Sequence, residues 1–97
     1  MNYIQPPKII QYRNNGSVEI HINSSSDVYY TTNGTIPTNT SNKYTSPISI
    51  TKNTNFLVIA YSSSSNSYSR IVEYFAEVPK NYRDNLFDST IYNKKED

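Results

Sequence analysis

Residues 8–75 are built from short segments rich in Val, Ile, Tyr and Thr, recurring about every ten residues between turn-rich clusters. β-Branched and aromatic side chains favour extended backbone, and runs of Ala, Leu, Glu and Lys that would favour helix are missing. Ser17 to Asn23 alternates cleanly: Val18, Ile20 and Ile22 take one face, and Glu19, His21 and Asn23 take the other. Lys8 to Tyr12 reads as the strand before it, with Asn14-Asn15-Gly16 turning the chain. Asp27 to Thr32 reads as the strand after it, with Val28, Tyr30 and Thr32 opposite Tyr29 and Thr31. Ile48 and Ile50 form a short strand behind Pro47. Phe56 to Tyr61 is apolar on both faces, the mark of a strand covered on both sides. Tyr68 to Ala76 is the last strand. The fold expected is all-β, a small antiparallel β-sandwich formed by residues 1–76.

The connections carry their own signals. Asn33-Gly34 supplies positive-φ positions for a tight turn, either a type I′ hairpin or a turn with a bulge. Pro37 lacks a ladder donor, so the residues around it belong to an edge or a loop. Ser62 to Ser67 is a polar loop with no turn constraint of its own. From residue 77 to residue 97 the character changes to scattered charges with apolar residues at Tyr82, Leu86, Phe87, Ile91 and Tyr92. The i,i+4 steps from Tyr82 to Leu86 and from Phe87 to Ile91 allow a short helical turn. This C-terminal tail is expected to be extended or short helical, and to dock on its own sandwich or on a neighbour.

Charge and composition exclude several classes. Nine Lys and Arg against eight Asp and Glu leave a net charge of +1, and no basic stripe suggests nucleic acid. The longest apolar run, Phe56 to Tyr61, is far short of the roughly 20 residues that span a bilayer. The opening MNYIQPPKII lacks a basic region followed by a continuous apolar one, so it is not read as a secretory signal. Without cysteine there is neither a disulfide framework nor a thiolate metal site.

Catalytic chemistry finds little material. Before the tail the acids are Glu19, Asp27 and Glu73; glycoside hydrolysis needs two carboxylates flanking one bond. Glu19 and Asp27 lie on adjacent predicted strands, where an approach is open to them, and both are read as surface charges. His21 is the single imidazole, on the polar face beside Glu19, and is expected to be solvated or cross-strand rather than a zinc ligand. Asp27 with nearby Ser and Asn oxygens offers Ca²⁺ too little carboxylate. Gly16 and Gly34 are isolated turn residues, not a phosphate loop. No cofactor or metal is expected. Four Asn-x-Ser/Thr sequons occur, at Asn15, Asn23, Asn33 and Asn39, as chance allows in so Asn- and Ser-rich a chain.

The stretch VYYTTNGTIPTNTSNKYTSPISI carries a spaced pattern: Tyr30-Thr31-Thr32, Asn33-Gly34, Thr35, Pro37-Thr38, Ser41, Tyr44 and Pro47-Ile48. Pro7, Gly16, Val18 and Ile20 precede it, and Val58, Ala60 and Ser69 follow. Together these resemble the C-terminal domain family of chitobiase and β-hexosaminidase, also described as fibronectin type III-associated. Asn33 stands where that family usually has Asp, and either residue tolerates the turn. The resemblance covers residues 6 to about 75 and implies an immunoglobulin-like or fibronectin type III-like sandwich, an accessory module with no catalytic centre in its motif.

The function expected is that of a non-enzymatic structural or interaction protein. It would be a small subunit of a larger assembly, with a virion or capsid-associated component as one such case. Leu57, Ile59 and Tyr61 on the second face of their strand, with Tyr82, Leu86, Phe87, Ile91 and Tyr92 of the tail, are the candidate partner-binding residues. The alternative is a carbohydrate-binding accessory module, with exposed Tyr29 and Tyr68 as candidates to stack on glycan rings. The partner, copy number and compartment are not legible in the residues.

Overall fold

A computed structural model describes residues 4–14 and 16–79. The tail residues Tyr82, Leu86, Phe87, Ile91 and Tyr92 lie outside the described residues. Those described form eight strands and no helix: β1 (Lys8–Asn14), β2 (Ser17–Asn23), β3 (Asp27–Thr31), β4 (Asn42–Lys43), β5 (Ile48–Ile50), β6 (Thr54–Ser62), β7 (Ser67–Tyr68) and β8 (Val72–Ala76). They make two antiparallel sheets. The first has the order β1-β2-β5; the second runs β4-β3-β6, with β7 and β8 in turn along the far edge of β6.

The β1–β2 hairpin closes at Asn14 opposite Ser17, and Gly16 takes φ +80°, a conformation that side chains with a Cβ rarely adopt. The chain then crosses between sheets three times, after β2, β4 and β5. These crossings give the immunoglobulin-like sandwich of the fibronectin type III kind that the motif implied.

The period-2 pattern places the core. Val18, Ile20 and Ile22 of β2 face Val28 of β3, Phe56 and Val58 of β6, and Ala76 of β8. All are buried, and Val18, Ile20 and Val58 are wholly inaccessible. Tyr30 and Tyr44 pack on this cluster, and the Tyr30 ring lies 6.0 Å from that of Phe56. Tyr44 enters from the segment leading to β5, its amide donating to Val28 O at 2.8 Å. At the sheet edges Tyr74 Oη donates to Gln11 Oε1 at 2.6 Å, joining β8 to β1 across the sandwich.

Two connections differ from expectation. Asn33-Gly34 does not close a tight hairpin, because β3 pairs next with Asn42–Lys43, and residues 32–41 form a long loop between them. Asn33 instead folds its side chain onto the loop, Oδ1 accepting from Thr35 N at 3.2 Å and from Thr35 Oγ1 at 2.7 Å. The polar loop after β6 has a constraint that composition did not reveal. Asn66 sits at φ +51°, and its Oδ1 accepts the Tyr61 hydroxyl at 2.8 Å.

Candidate functional site

The outer face of the second sheet carries the candidate residues Leu57, Ile59 and Tyr61 of β6, with Tyr29 of β3 and Tyr68 of β7. Alternation sends Phe56, Val58 and Ala60 of β6 inward and turns Leu57, Ile59 and Tyr61 outward, paired with Thr31, Tyr29 and Asp27 of β3. Ile59 is 6% exposed and Tyr61 9%, although among the described residues no second sheet covers them. The long loop supplies a cover. Thr31 Oγ1, on this face, donates to Thr35 O at 2.6 Å, and Asn39 N donates to the Tyr68 hydroxyl at 3.1 Å. The loop therefore starts above β3 and reaches out to the ring of a β7 residue, passing over β6. Its midpoint, Pro37, is fully buried yet lies outside the inter-sheet cluster. A proline suits this place: it buries apolar surface and needs no partner for an amide proton. Ser41 Oγ accepts from Thr38 N, and Ser41 N donates to Thr38 O, so the return limb is internally bonded.

Along the far edge of β6 the ladder changes register. Val58 faces Val72 and Tyr61 faces Tyr68, so Ser69, Arg70 and Ile71 stand against only Ile59 and Ala60. This is a β-bulge. Ser69 N donates to Ala60 O at 2.9 Å, and the Ser69 hydroxyl accepts the Ala60 N–H at 3.0 Å while donating to Arg70 O at 2.8 Å. The side chain thus satisfies a buried amide that the bulge leaves without a carbonyl. Serine does this because one hydroxyl both accepts and donates.

The sequence-derived residues fall into place as follows. Leu57 is half-buried, and Ile59 and Tyr61 are buried beneath the loop, so a partner approaching this face meets the loop first. Tyr29 and Tyr68 do share the face, flanking Tyr61. Tyr29 meets it at 6.3 Å and 67°, Tyr68 at 4.7 Å and 42°. The three rings form an inclined cluster, not one plane, and the Tyr68 hydroxyl is held by the loop.

The charged residues are dispersed. Glu19 and Asp27 do not approach: β2 and β3 belong to different sheets, and the two carboxylates project from opposite exteriors of the sandwich. Glu19 Oε1 lies 2.9 Å from His21 Nε2, and the His21 ring packs edge-on against Tyr12 at 4.7 Å. His21 is thus the cross-strand residue expected. Asp27 pairs with Lys43 at 3.7 Å, both exposed, a contact of small energetic weight. Glu73 accepts from Asn55 Nδ2 at 3.0 Å. Among the described residues no group of three His, Cys, Asp or Glu is placed to hold a metal ion.

Two open grooves are formed by described residues. One, of about 290 Å³, is lined by Thr31, Thr32, Asn33, Thr35, Thr40 and Ser41 among others. The other, of about 440 Å³, lies between Gln11 and Arg13 of β1 and Phe75, Val78 and Pro79. Phe75, 58% exposed on the outer face of β8, is a candidate contact that sequence reasoning missed. Its signal was present in the strict alternation of Val72, Tyr74 and Ala76 inward, which leaves Phe75 outward. The chain leaves the described fold beside this groove.

The family model described as Fn3 associated matches residues 18–74, more than half of the chain, from the first core residue of β2 into β8. A search of curated proteins gave no match.

Proposed function

The chain belongs to the Fn3-associated family, and from that membership we propose that it is a non-enzymatic accessory β-sandwich that docks within a larger protein assembly. The observation that carries the reading is how the apolar surface is distributed. The space between the sheets is filled by Val18, Ile20, Phe56 and Val58, and the outer face of β6 is covered by the protein's own loop. Among the outward apolar side chains, which include Tyr12, Ile36 and Phe75, it is Phe75 that lines the groove shared with Gln11, Arg13, Val78 and Pro79, at the end where the chain continues into residues 80–97. An aromatic side chain at the rim of an open groove is a natural anchor for a protein partner. A particle shell, such as a virion or capsid, is one assembly that uses small sandwiches in this way.

Size-exclusion chromatography of the protein from its native source tests the reading. Co-elution with a protein partner at fixed stoichiometry, lost on deletion of residues 78–97, is the expected result. A free monomer whose elution is the same with and without those residues contradicts it. The second reading, a carbohydrate-binding accessory module, draws on the Tyr29–Tyr61–Tyr68 cluster; the inclination of those rings makes it the weaker of the two.

A further inference from the structure

We propose that Asn33 is a site of spontaneous covalent modification, losing its side-chain amide through a succinimide formed with Gly34, and that the Thr35 hydroxyl accelerates the step. Three features meet at this point of the loop. Asn33 and Gly34 are both exposed, so water reaches the site. Gly34, at φ +87°, has no Cβ, and apart from its two chain neighbours nothing lies within 4 Å of where one would stand, so no packed group crowds the residue that supplies the attacking nitrogen. Asn33 Oδ1 already accepts two hydrogen bonds, from Thr35 N at 3.2 Å and Thr35 Oγ1 at 2.7 Å.

The chemistry follows from those contacts. The Gly34 nitrogen attacks Asn33 Cγ and forms the new N–C bond, its proton passing to water. Negative charge develops on Oδ1, where the Thr35 hydroxyl and amide are in place to stabilise it, as donors do in an oxyanion hole. Collapse of the adduct breaks the Cγ–Nδ2 bond, and ammonia departs with a proton from water. Water then opens the five-membered imide at either carbonyl. Cleavage at Cγ leaves an aspartate; cleavage at the former main-chain carbonyl leaves an isoaspartyl linkage. Nothing is oxidised or reduced, and water is the only co-reactant.

The two products act differently on the loop. An aspartate keeps both Thr35 contacts and strengthens them, since a carboxylate is the better acceptor. An isoaspartyl linkage inserts a carbon into the backbone between Thr31 and Pro37, the limb that covers Ile59 and Tyr61, and weakens that cover. Asn15-Gly16 repeats the dipeptide in the same chain and serves as an internal reference.

The test is to age the folded protein at neutral pH and map both sites by mass spectrometry with fragmentation that separates aspartyl from isoaspartyl peptides. Both products are expected at position 33. Thr35→Val should slow their formation about fivefold, the effect of one hydrogen bond of about 1 kcal/mol. Thr35→Ser should restore the rate, and position 15 should react alike in all three proteins. An intact Asn33 after Asn15 has reacted, or a Thr35→Val protein that reacts at position 33 as fast as the parent, overturns the proposal.

Discussion

The Ser69 hydroxyl accepts the Ala60 amide proton at 3.0 Å, taking the place of a ladder carbonyl where the three residues between β7 and β8 stand against two of β6. Ser69 is buried, so water cannot replace it without opening the sheet. Ser69→Ala should therefore destabilise the fold by about 1–3 kcal/mol, the cost of a buried amide without a partner. Urea unfolding checks this, with the midpoint falling and the slope unchanged.

The loop over β6 makes a second expectation. Tyr68→Phe removes the acceptor of the Asn39 amide while keeping the ring. Global stability should fall by about 0.5–1.5 kcal/mol. Amide exchange at Asn39 should quicken most, and exchange in the inter-sheet core should quicken only as far as the fall in global stability requires.

Phe56 and Phe75 separate folding from docking. Phe56→Ala empties the centre of the inter-sheet core and should cost about 3–5 kcal/mol. Phe75→Ser, on an exposed outer position, should leave stability within about 0.5 kcal/mol and weaken association with the native partner. Thermal unfolding and co-elution, measured on both variants, distinguish the two roles.

Glycan binding is expected to be absent from the tyrosine cluster. The planes of Tyr29 and Tyr68 are inclined by 67° and 42° to Tyr61, whereas a sugar ring stacks on a flat aromatic surface. A chitin pull-down should retain no protein above background, and Tyr29→Ala should change nothing. Retention lost in that variant would favour the carbohydrate reading.

Much of this architecture was legible in the residues. Val18, Ile20 and Ile22 go inward as their alternation requires, and Tyr30 and Tyr44 of the spaced pattern pack against that core. The faces of β6 were legible too, but not what covers the outer one, because that depends on where a polar loop lies rather than on its composition. β4 escaped notice since Asn42 and Lys43 bear no apolar side chain and pair only because β3 presents an edge. The bulge was hidden for a different reason: Ser69 sits among other serines, and its role arises from register, which no local pattern records. Glu19 and Asp27 illustrate the same limit. Strands adjacent in the chain need not be neighbours in a sheet, and the crossover after β2 places these two carboxylates on opposite exteriors.

Hydrogen exchange on the complex isolated from its native source, compared with the free protein, tests the docking account most directly. Protection is expected at the end of the sandwich around Phe75 to Pro79 and the neighbouring residues of β1, with the loop over Ile59 unchanged. Exchange identical in the free and isolated proteins, or protection confined to Tyr29 and Tyr68 on adding a chitin oligosaccharide, would contradict it.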